Sequence, residues 1–340
     1  MSFPLAIVIP AYKAIYFKTC IESLVAQTDQ RFHVYIGDDA SPEDLNQLLA
    51  PYASALAITY HRFDQNLGAT DLVGHWNRCL DLIKEESWIW LFSDDDCMDP
   101  GCVEAFYDFL ETPEAAQTDL LHFNMQVVDS DGIPLWPIKP FPSELTSVEF
   151  FDGRIQHQLH SSVVEYIFRK SAFKEVGGFQ KFDLGWFSDD ATWLKLMGSK
   201  PLITISKNLV YWRFSSENIS STSASREILG RKVEASLTFR RWAIEFLKQR
   251  NFSIQSSNIQ QIKFFLSVPF NSSRLNWKEK SKFLTYISSD VGANRREKIV
   301  LWCYFLWFFG KQTLGLWLRR RGTAYRLTST TSALSSDDNT

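Results

Sequence analysis

Leu5-Ala6-Ile7-Val8-Ile9 is apolar at every position and stops at Pro10, the pattern of a strand buried on both faces. After the loop Ala11-Tyr12-Lys13 the period changes. Phe17, Cys20, Ile21, Leu24 and Val25 recur at helical spacing, so one face of a helix is buried. The alternation then repeats: Phe32–Ile36 and Ala57–Tyr60 read as strands, Val73–Ile83 as a helix, Trp88–Phe92 as a strand, and Val103, Phe106, Tyr107 and Leu110 as the apolar stripe of the next helix. This succession predicts an α/β fold with a Rossmann-like, doubly wound, mostly parallel sheet, in which ligands bind beyond the carboxyl ends of the strands. Leu120–Val128, Ser161–Phe168, Leu202–Ile205 and Leu209–Arg213 read as further strands, and Ser171–Val176 as a short helix closed by Gly177-Gly178. Ile133 to Pro142 carries four prolines and reads as an irregular loop beside the cleft.

Two of the strands run into acid. Phe32–Ile36 leads into Gly37-Asp38-Asp39-Ala40-Ser41, and Trp88–Phe92 leads into Ser93-Asp94-Asp95-Asp96. Three adjacent carboxylates repel one another unless solvated or neutralised by a hard cation, and Mg2+ or Mn2+ with a substrate phosphate suits that purpose. The structural alternative is a solvated turn capping the next helix. Asp99 before Pro100 supplies that cap, which leaves Asp94, Asp95 and Asp96 without a structural task. Pro10-Ala11-Tyr12, Asp38-Asp39 and Asp94-Asp95-Asp96 are therefore expected to line one cleft. A second acidic pair, Asp189-Asp190, stands at the start of a helix through Trp193, Leu194 and Met197, where the dipole favours negative charge.

Composition narrows the choice of chemistry. The formal net charge of −3 with no basic domain gives no reason to expect nucleic acid as a partner. Five scattered cysteines without a CxxC pair suit reduced thiols in a cytoplasmic protein and argue against zinc. The six histidines share no metal-ligand spacing and are read as structural. No Gly-rich fingerprint follows the first strand, which argues against a dinucleotide dehydrogenase and against a nucleotidyltransferase. The amino terminus lacks a charged lead and a long apolar core, so no secretory leader is expected. The longest late apolar run, Ile299–Phe309, is too short to span a bilayer. Asn218-Ile219-Ser220 matches a glycosylation acceptor that a cytoplasmic chain would not use.

Ile9-Pro10-Ala11-Tyr12, Cys20-Ile21-Glu22-Ser23-Leu24 with Gln27-Thr28, Asp38-Asp39-Ala40-Ser41, Asn66-Leu67-Gly68 with Asn77, and Ser93-Asp94-Asp95-Asp96 stand in an order and spacing that resembles the family 2 glycosyltransferases. The resemblance runs from residue 3 to about 215 and implies a GT-A fold, a nucleotide-diphospho-sugar donor and inversion. It implies that Pro10 and Tyr12 lie against the base and that Asp39 bonds it, with Asn66 and Asn77 in the same nucleotide-sugar site. Asp94 would approach the ribose or the metal, and Asp95 or Asp96 would hold the cation. Val176-Gly177-Gly178-Phe179 followed by Ser188-Asp189-Asp190 resembles the acceptor-side segment, so the catalytic base would fall on Asp190, with Asp189 as its substitute. An inverting transfer needs one such carboxylate and no covalent nucleophile.

The chain departs from the family in three places: Ser93 stands where an acidic residue is usual, Phe214 where many relatives carry His, and Thr238 where processive synthases carry the Gln of Gln-x-x-Arg-Trp. Thr238-Phe239-Arg240-Arg241-Trp242 is accordingly read as a helix end, the enzyme as one that adds a single sugar, and Arg213 as a candidate phosphate contact.

The expected organisation is a GT-A domain over 1–222, divided into a nucleotide-sugar half (1–118) and an acceptor half (119–222), then a helical region over 223–322 and a disordered Ser/Thr-rich tail, 323–340. Within the helical region, 295–320 sets a Trp- and Phe-rich stretch between Arg295, Arg296 and Lys298 on one side and Lys311 and Arg319-Arg320-Arg321 on the other. That pattern suits a helix lying in an anionic membrane interface, or a core or dimer helix. The functional expectation is a metal-dependent, inverting transferase taking one sugar, foremost from a UDP-sugar, to a glycan or lipid-linked acceptor. Its setting would be bacterial surface polysaccharide or lipopolysaccharide synthesis at the inner face of the membrane. The competing readings are a non-catalytic nucleotide-sugar or glycan-binding module at a membrane and a nucleotidyltransferase.

Overall fold

The computed structural model describes residues 3–215 and 225–310. The expected boundary at 222, the Asn218-Ile219-Ser220 acceptor, the tail and the end of the 295–320 helix lie outside the described residues.

Strand β1 (Leu5–Ala11) is the hub of the sheet. It pairs in parallel with β2 (Phe32–Asp38) on one side and β4 (Trp88–Leu91) on the other, and β3 (Ile58–Arg62) extends β2 in the same direction. Beyond β4 the sheet becomes mixed. Strand β8 (Tyr166–Arg169) runs antiparallel to both β4 and β6 (Leu120–Val128), and β9 (Leu202–Arg213) runs parallel to β6. Short strands β5 (Cys97–Met98) and β7 (Glu144–Leu145) pair antiparallel with β9, giving the order β3-β2-β1-β4-β8-β6-β9-β5 with β7 also on β9. Since β4 and β6 both oppose β8, they share a direction. The carboxyl ends of β1, β2, β4, β6 and β9 therefore meet at one edge, and the acidic loops lie there.

The all-apolar strands are explained by helices on both faces. On one face α1 (Phe17–Val25) and α4 (Cys102–Leu110) bury Phe17, Ile21, Leu24, Val103 and Phe106 against Leu5, Ile7, Ile9, Trp88 and Trp90. On the other, Trp193 of α7 (Ser188–Met197) stacks on Tyr166 at 4.6 Å, and Trp76 of α3 (Leu72–Leu80) meets Phe179 at 5.2 Å.

Four expectations change at the level of elements. Of the Ser161–Phe168 segment only Tyr166–Phe168 is strand, the start of β8. Ser162 and Glu165 close a reciprocal capping box around a 3-10 turn, Val163–Glu165, and this overrides the β preference of two valines. The two late strands are one, β9, whose register against β6 shifts at Ser206-Lys207-Asn208. Asp99 does not cap the following helix, which starts at Cys102 after Gly101. Its carboxylate instead accepts the Leu209 N–H at 2.9 Å and the Tyr211 hydroxyl at 2.7 Å, tying the loop to β9. Thr238–Trp242 is the middle of α8 (Arg226–Gln249), not a helix end, and Phe239 there is buried.

The chain divides into two compact units, 1–256 with 271–274, and 257–270 with 275–340. The first holds the sheet and α8. In the second, α9 (Asn258–Asn271), α10 (Trp277–Asp290) and a helix over 295–310 bury Ile262, Phe265, Leu266, Leu284, Ile287, Leu301 and Phe305.

Trp90 is fully buried, stacks on Phe123 at 5.1 Å and donates its indole N–H to the Val164 carbonyl at 2.7 Å. Trp90→Ala is expected to cost about 3–5 kcal/mol in urea unfolding. Trp90→Phe should cost clearly less, because it keeps most of the packing and loses chiefly the hydrogen bond. Equal losses would contradict this account of the core.

Candidate active site

Asp94, Asp95 and Asp96 are 4%, 3% and 2% exposed, so solvation does not relieve their repulsion. Donors from the chain do. Oδ2 of Asp94 accepts the backbone N–H groups of Tyr12 and Lys13, both at 2.7 Å. The Lys13 ammonium lies 2.7 Å from Oδ2 of Asp95 and 4.0 Å from Oδ1 of Asp94, and the Ser93 hydroxyl donates to Oδ1 of Asp95 at 2.5 Å. Arg213 donates its backbone N–H to Oδ1 of Asp96 at 2.7 Å and its Nε to the Asp95 carbonyl at 2.8 Å. Burial, then the charge of Asp95, pushes the Asp94 pKa up to about 6, and the same two causes raise Asp96 well above the carboxylate range. Burial alone would lower the Lys13 pKa, but the charges of Asp95 and Asp94 outweigh it and leave it raised.

The second acidic loop is pinned in a similar way. Asp38 accepts from Tyr60, Arg62 and the Ser41 N–H. Asp39 accepts the N–H groups of Leu67 and Gly68, each at 2.8 Å, and pairs with Arg78 of α3. Gly68 is required at this contact, because a Cβ there would lie 2.7 Å from Oδ2 of Asp39. The Ser41 hydroxyl donates to the Tyr12 carbonyl at 2.7 Å, joining this loop to the first. Tyr12 itself is 40% exposed at the rim.

The third acidic element opens α7. Phe187 precedes it with a left-handed φ of +63°, an uncommon state for a side-chain-bearing residue, and its ring stacks on Phe239 of α8 at 4.7 Å. Asp190, 2% exposed, is gripped by Arg154 of α5 (Ser147–Ile155), with Nε to Oδ1 at 3.1 Å and Nη2 to Oδ2 at 3.0 Å. Asp189 is only partly buried. Desolvation, then the charge of Asp190, pushes its pKa up to about 7.

Residues 6–174 match the family model described as glycosyl transferase family 2. Through them the chain belongs to glycosyl transferase family 2. Among solved structures, S. aureus TarS 1-349 in complex with UDP-GlcNAc aligns with a TM-score of 0.53 at 18% identity, over 87% of this chain and 90% of that one. A longer S. aureus TarS structure gives 0.52 at 17% identity over 85% of this chain, which spans about half (53%) of that one. Likeness at this identity speaks to the fold. No curated protein matches the chain.

Within this glycosyltransferase, Pro10, Tyr12, Asp94, Asp95 and Asp96 come together at the edge of the sheet, and Asp39 is linked to them through Ser41 and Tyr12. Asn66 sits in the loop that Asp39 holds, its own side chain closing a turn onto the Ala69 N–H at 3.0 Å. Asn77 is apart from this group. It is exposed on α3, two residues and so about 200° round the helix from His75, whose Nδ1 lies 3.4 Å from Asp39. Arg213 is not positioned as a phosphate contact. It is 4% exposed and donates to the carbonyls of Asp95, Asp129 and Ser130, so it holds the acidic loop in place. Lys13, Arg78 and Arg154 are the basic partners that the sequence reading missed. A basic residue one position after Tyr12 was the one available signal.

The Asp189 shift carries a pH signature. Between about pH 4 and about pH 7 the folded chain keeps a proton on Asp189 that the unfolded chain has released, so this group's contribution is full below that window and is lost as pH rises through it. The urea midpoint of wild type relative to Asp189→Asn should fall across this window. A flat difference would show that Asp189 titrates normally.

Proposed function

We propose that this glycosyltransferase moves one sugar from a nucleotide-diphospho-sugar, foremost a UDP-sugar, to a glycan or lipid-linked acceptor with inversion and with a divalent cation. The observation that carries the reading is the buried acidic loop with the Lys13 ammonium resting on two of its carboxylates. That ammonium marks a place where positive charge is favoured among hard oxygen donors. Among the described residues no three His, Cys, Asp or Glu side chains form a ready metal cage. Mg2+ and Mn2+ sites at phosphates need only one or two protein carboxylates, and Asp95 and Asp96 fit that part. When bound, such a cation neutralises charge developing on the leaving diphosphate.

The remaining roles fall to the chain. Tyr12 offers an exposed ring at the rim for the base, with Pro10 next to it at the end of β1, and Asp39, held by the Leu67 and Gly68 N–H groups and by Arg78, fixes the loop on the other side of that rim. A uridine donor is favoured because TarS structures are described with UDP-GlcNAc and with UDP. For the base, the geometry favours Asp189 over Asp190. Both oxygens of Asp190 are engaged by Arg154 and the residue is buried, whereas Asp189 is only partly buried and has a pKa near a neutral working pH. Asp189 takes the acceptor hydroxyl's proton as that oxygen bonds the anomeric carbon. The bond from that carbon to the phosphate oxygen breaks on the opposite face, and its electron pair leaves with the nucleoside diphosphate.

Calorimetry with UDP, GDP and their sugars, with and without Mn2+, tests the donor site. Metal-dependent binding should be lost in Asp95→Ala and kept in Asp189→Asn and Asp190→Asn. With a donor in hand, Asp189→Asn should lower kcat by about 10²–10⁴. If Asp190→Asn alone does so, the base is Asp190. A folded wild type that binds no nucleotide would refute the transferase reading of the site.

We further propose that the enzyme works at the inner face of a bacterial membrane in surface polysaccharide or lipopolysaccharide assembly. Support comes from the helix over 295–310, which leaves Ile299, Val300, Trp302, Leu306 and Trp307 exposed, the last two at 66% and 59%, beside Arg295, Arg296 and Lys298. No helix among the described residues is long and apolar enough to cross a membrane. The full chain should sediment with phosphatidylglycerol vesicles and not with phosphatidylcholine vesicles, and Leu306→Glu with Trp307→Glu should abolish this. Sedimentation that ignores lipid charge and both substitutions would reject the contact.

A further inference from the structure

Strand β8 is short. Carried across it, the register sets Trp90 of β4 level with Leu121 of β6 through Ile167, and one residue further on sets Leu91 level with His122. β8 begins at Tyr166, opposite His122, so beyond that level no strand fills the gap between the end of β4 and β6. Strands β4 and β6 are two strand spacings apart there, about 10 Å. The acidic loop starts at the end of β4. At the same height on β6 a cavity of about 150 Å³ opens, lined by His122, Asn124 and Gln126, by His160 and Glu165, and roofed by the Pro-rich loop at Phe141.

The lining is unusual in its polar atoms. Nε2 of His122, Nδ1 of His160 and Oε2 of Glu165 are all buried without a hydrogen-bond partner. Buried polar groups left in this way cost stability, so they call for an explanation. A His122–Glu165 ion pair does not provide one. The two atoms are 3.6 Å apart, beyond hydrogen-bond distance, and burial works against the charged form of each, holding His122 down to about 3 and raising Glu165 well above the carboxylate range. Burial likewise holds His160 down to about 4. The lining thus offers polar donors and acceptors beside apolar surface, including the Phe141 ring stacked on His122 at 3.9 Å. Phosphate or carboxylate would find no cation among these side chains except Lys139 of the loop. A ring carrying hydroxyls and C–H faces matches both kinds of surface. The volume exceeds what one water needs and falls below the roughly 300–1,000 Å³ of pockets for larger ligands, so it takes one ring and not a chain. Arg154 ties the cavity to the carboxylate pair, holding Asp190 with one edge of its guanidinium and the Leu159 carbonyl, next to His160, with Nη1 at 3.1 Å.

We infer that the cavity between β6 and the Pro-rich loop is a subsite for one uncharged pyranose ring, recognised by His122, His160 and Glu165. The inference rests on the transferase reading and deepens it. The ring belongs either to the donor's transferred sugar or to the end of the acceptor, and the test separates the two.

Wild type, His160→Phe and Glu165→Gln are compared by calorimetry with UDP, UDP-glucose, UDP-GlcNAc, GDP and GDP-mannose, and by saturation-transfer NMR with methyl glycosides of glucose, galactose and GlcNAc. A donor ring predicts that the nucleotide sugar binds more weakly by roughly tenfold in each variant while the bare nucleotide is unchanged. An acceptor ring predicts unchanged nucleotide-sugar binding and loss of the glycoside signal in both variants. Folded variants that bind every probe as wild type does would overturn the subsite and leave the transferase reading intact. A wild type that binds no nucleotide would refute that reading, and the glycoside arm then judges the cavity alone. Should both variants fail to fold, histidine-labelled wild type decides. Contacts from bound sugar protons to the His122 and His160 rings support the subsite, and their absence with sugar bound overturns it.

Discussion

Three buried carboxylates in a row are the constraint on which the site depends. Their mutual repulsion has to be balanced inside the protein, and the balancing groups come from both ends of the fold. The turn after β1 supplies two backbone N–H groups to Asp94 and the Lys13 ammonium to Asp95, and the end of β9 supplies the Arg213 N–H to Asp96. Closing the sheet from β1 through to β9 is thus coupled to assembling the acidic loop. A chain that failed to bring β9 alongside β6 would leave Asp96 without its backbone donor and the Asp95 carbonyl without Arg213. The same coupling reaches the second acidic loop, since Ser41 bonds the carbonyl of the Tyr12 whose N–H bonds Asp94.

What could be read from the sequence is what depends on neighbours in the chain. Strands β1, β2 and β4 announce themselves because burial on both faces removes every polar residue, and the acidic loops follow them directly. The family motifs lie on these same local units. What could not be read depends on distant partners. Asp99 was expected to cap the next helix because Pro100 follows it, yet it bonds Leu209, 110 positions away. Arg154 reaches Asp190 across 36 residues, and nothing in the spacing of either marks the pair. At Val163-Val164 the local signals themselves competed, and a capping box between Ser162 and Glu165 prevailed over β-branched side chains. Helix geometry turns Asn77 to solvent and brings its neighbour Arg78 to Asp39, a contact that motif order does not show.

The two acidic centres use one electrostatic arrangement. In each, a basic side chain lies closest to one carboxylate of an adjacent set, Lys13 to Asp95 and Arg154 to Asp190, and a neighbouring carboxylate is left with a raised pKa. Burial supplies the larger part of each shift and the paired carboxylate's charge the rest. The consequences differ because exposure differs. Asp94 and Asp96 are sealed, so only added positive charge would ionise them together. Asp189 is only partly buried, so the same raised pKa falls on a carboxyl that solvent can still reach. Adjacent aspartates that look alike in sequence are separated by which of them the basic residue takes and which of them solvent can reach.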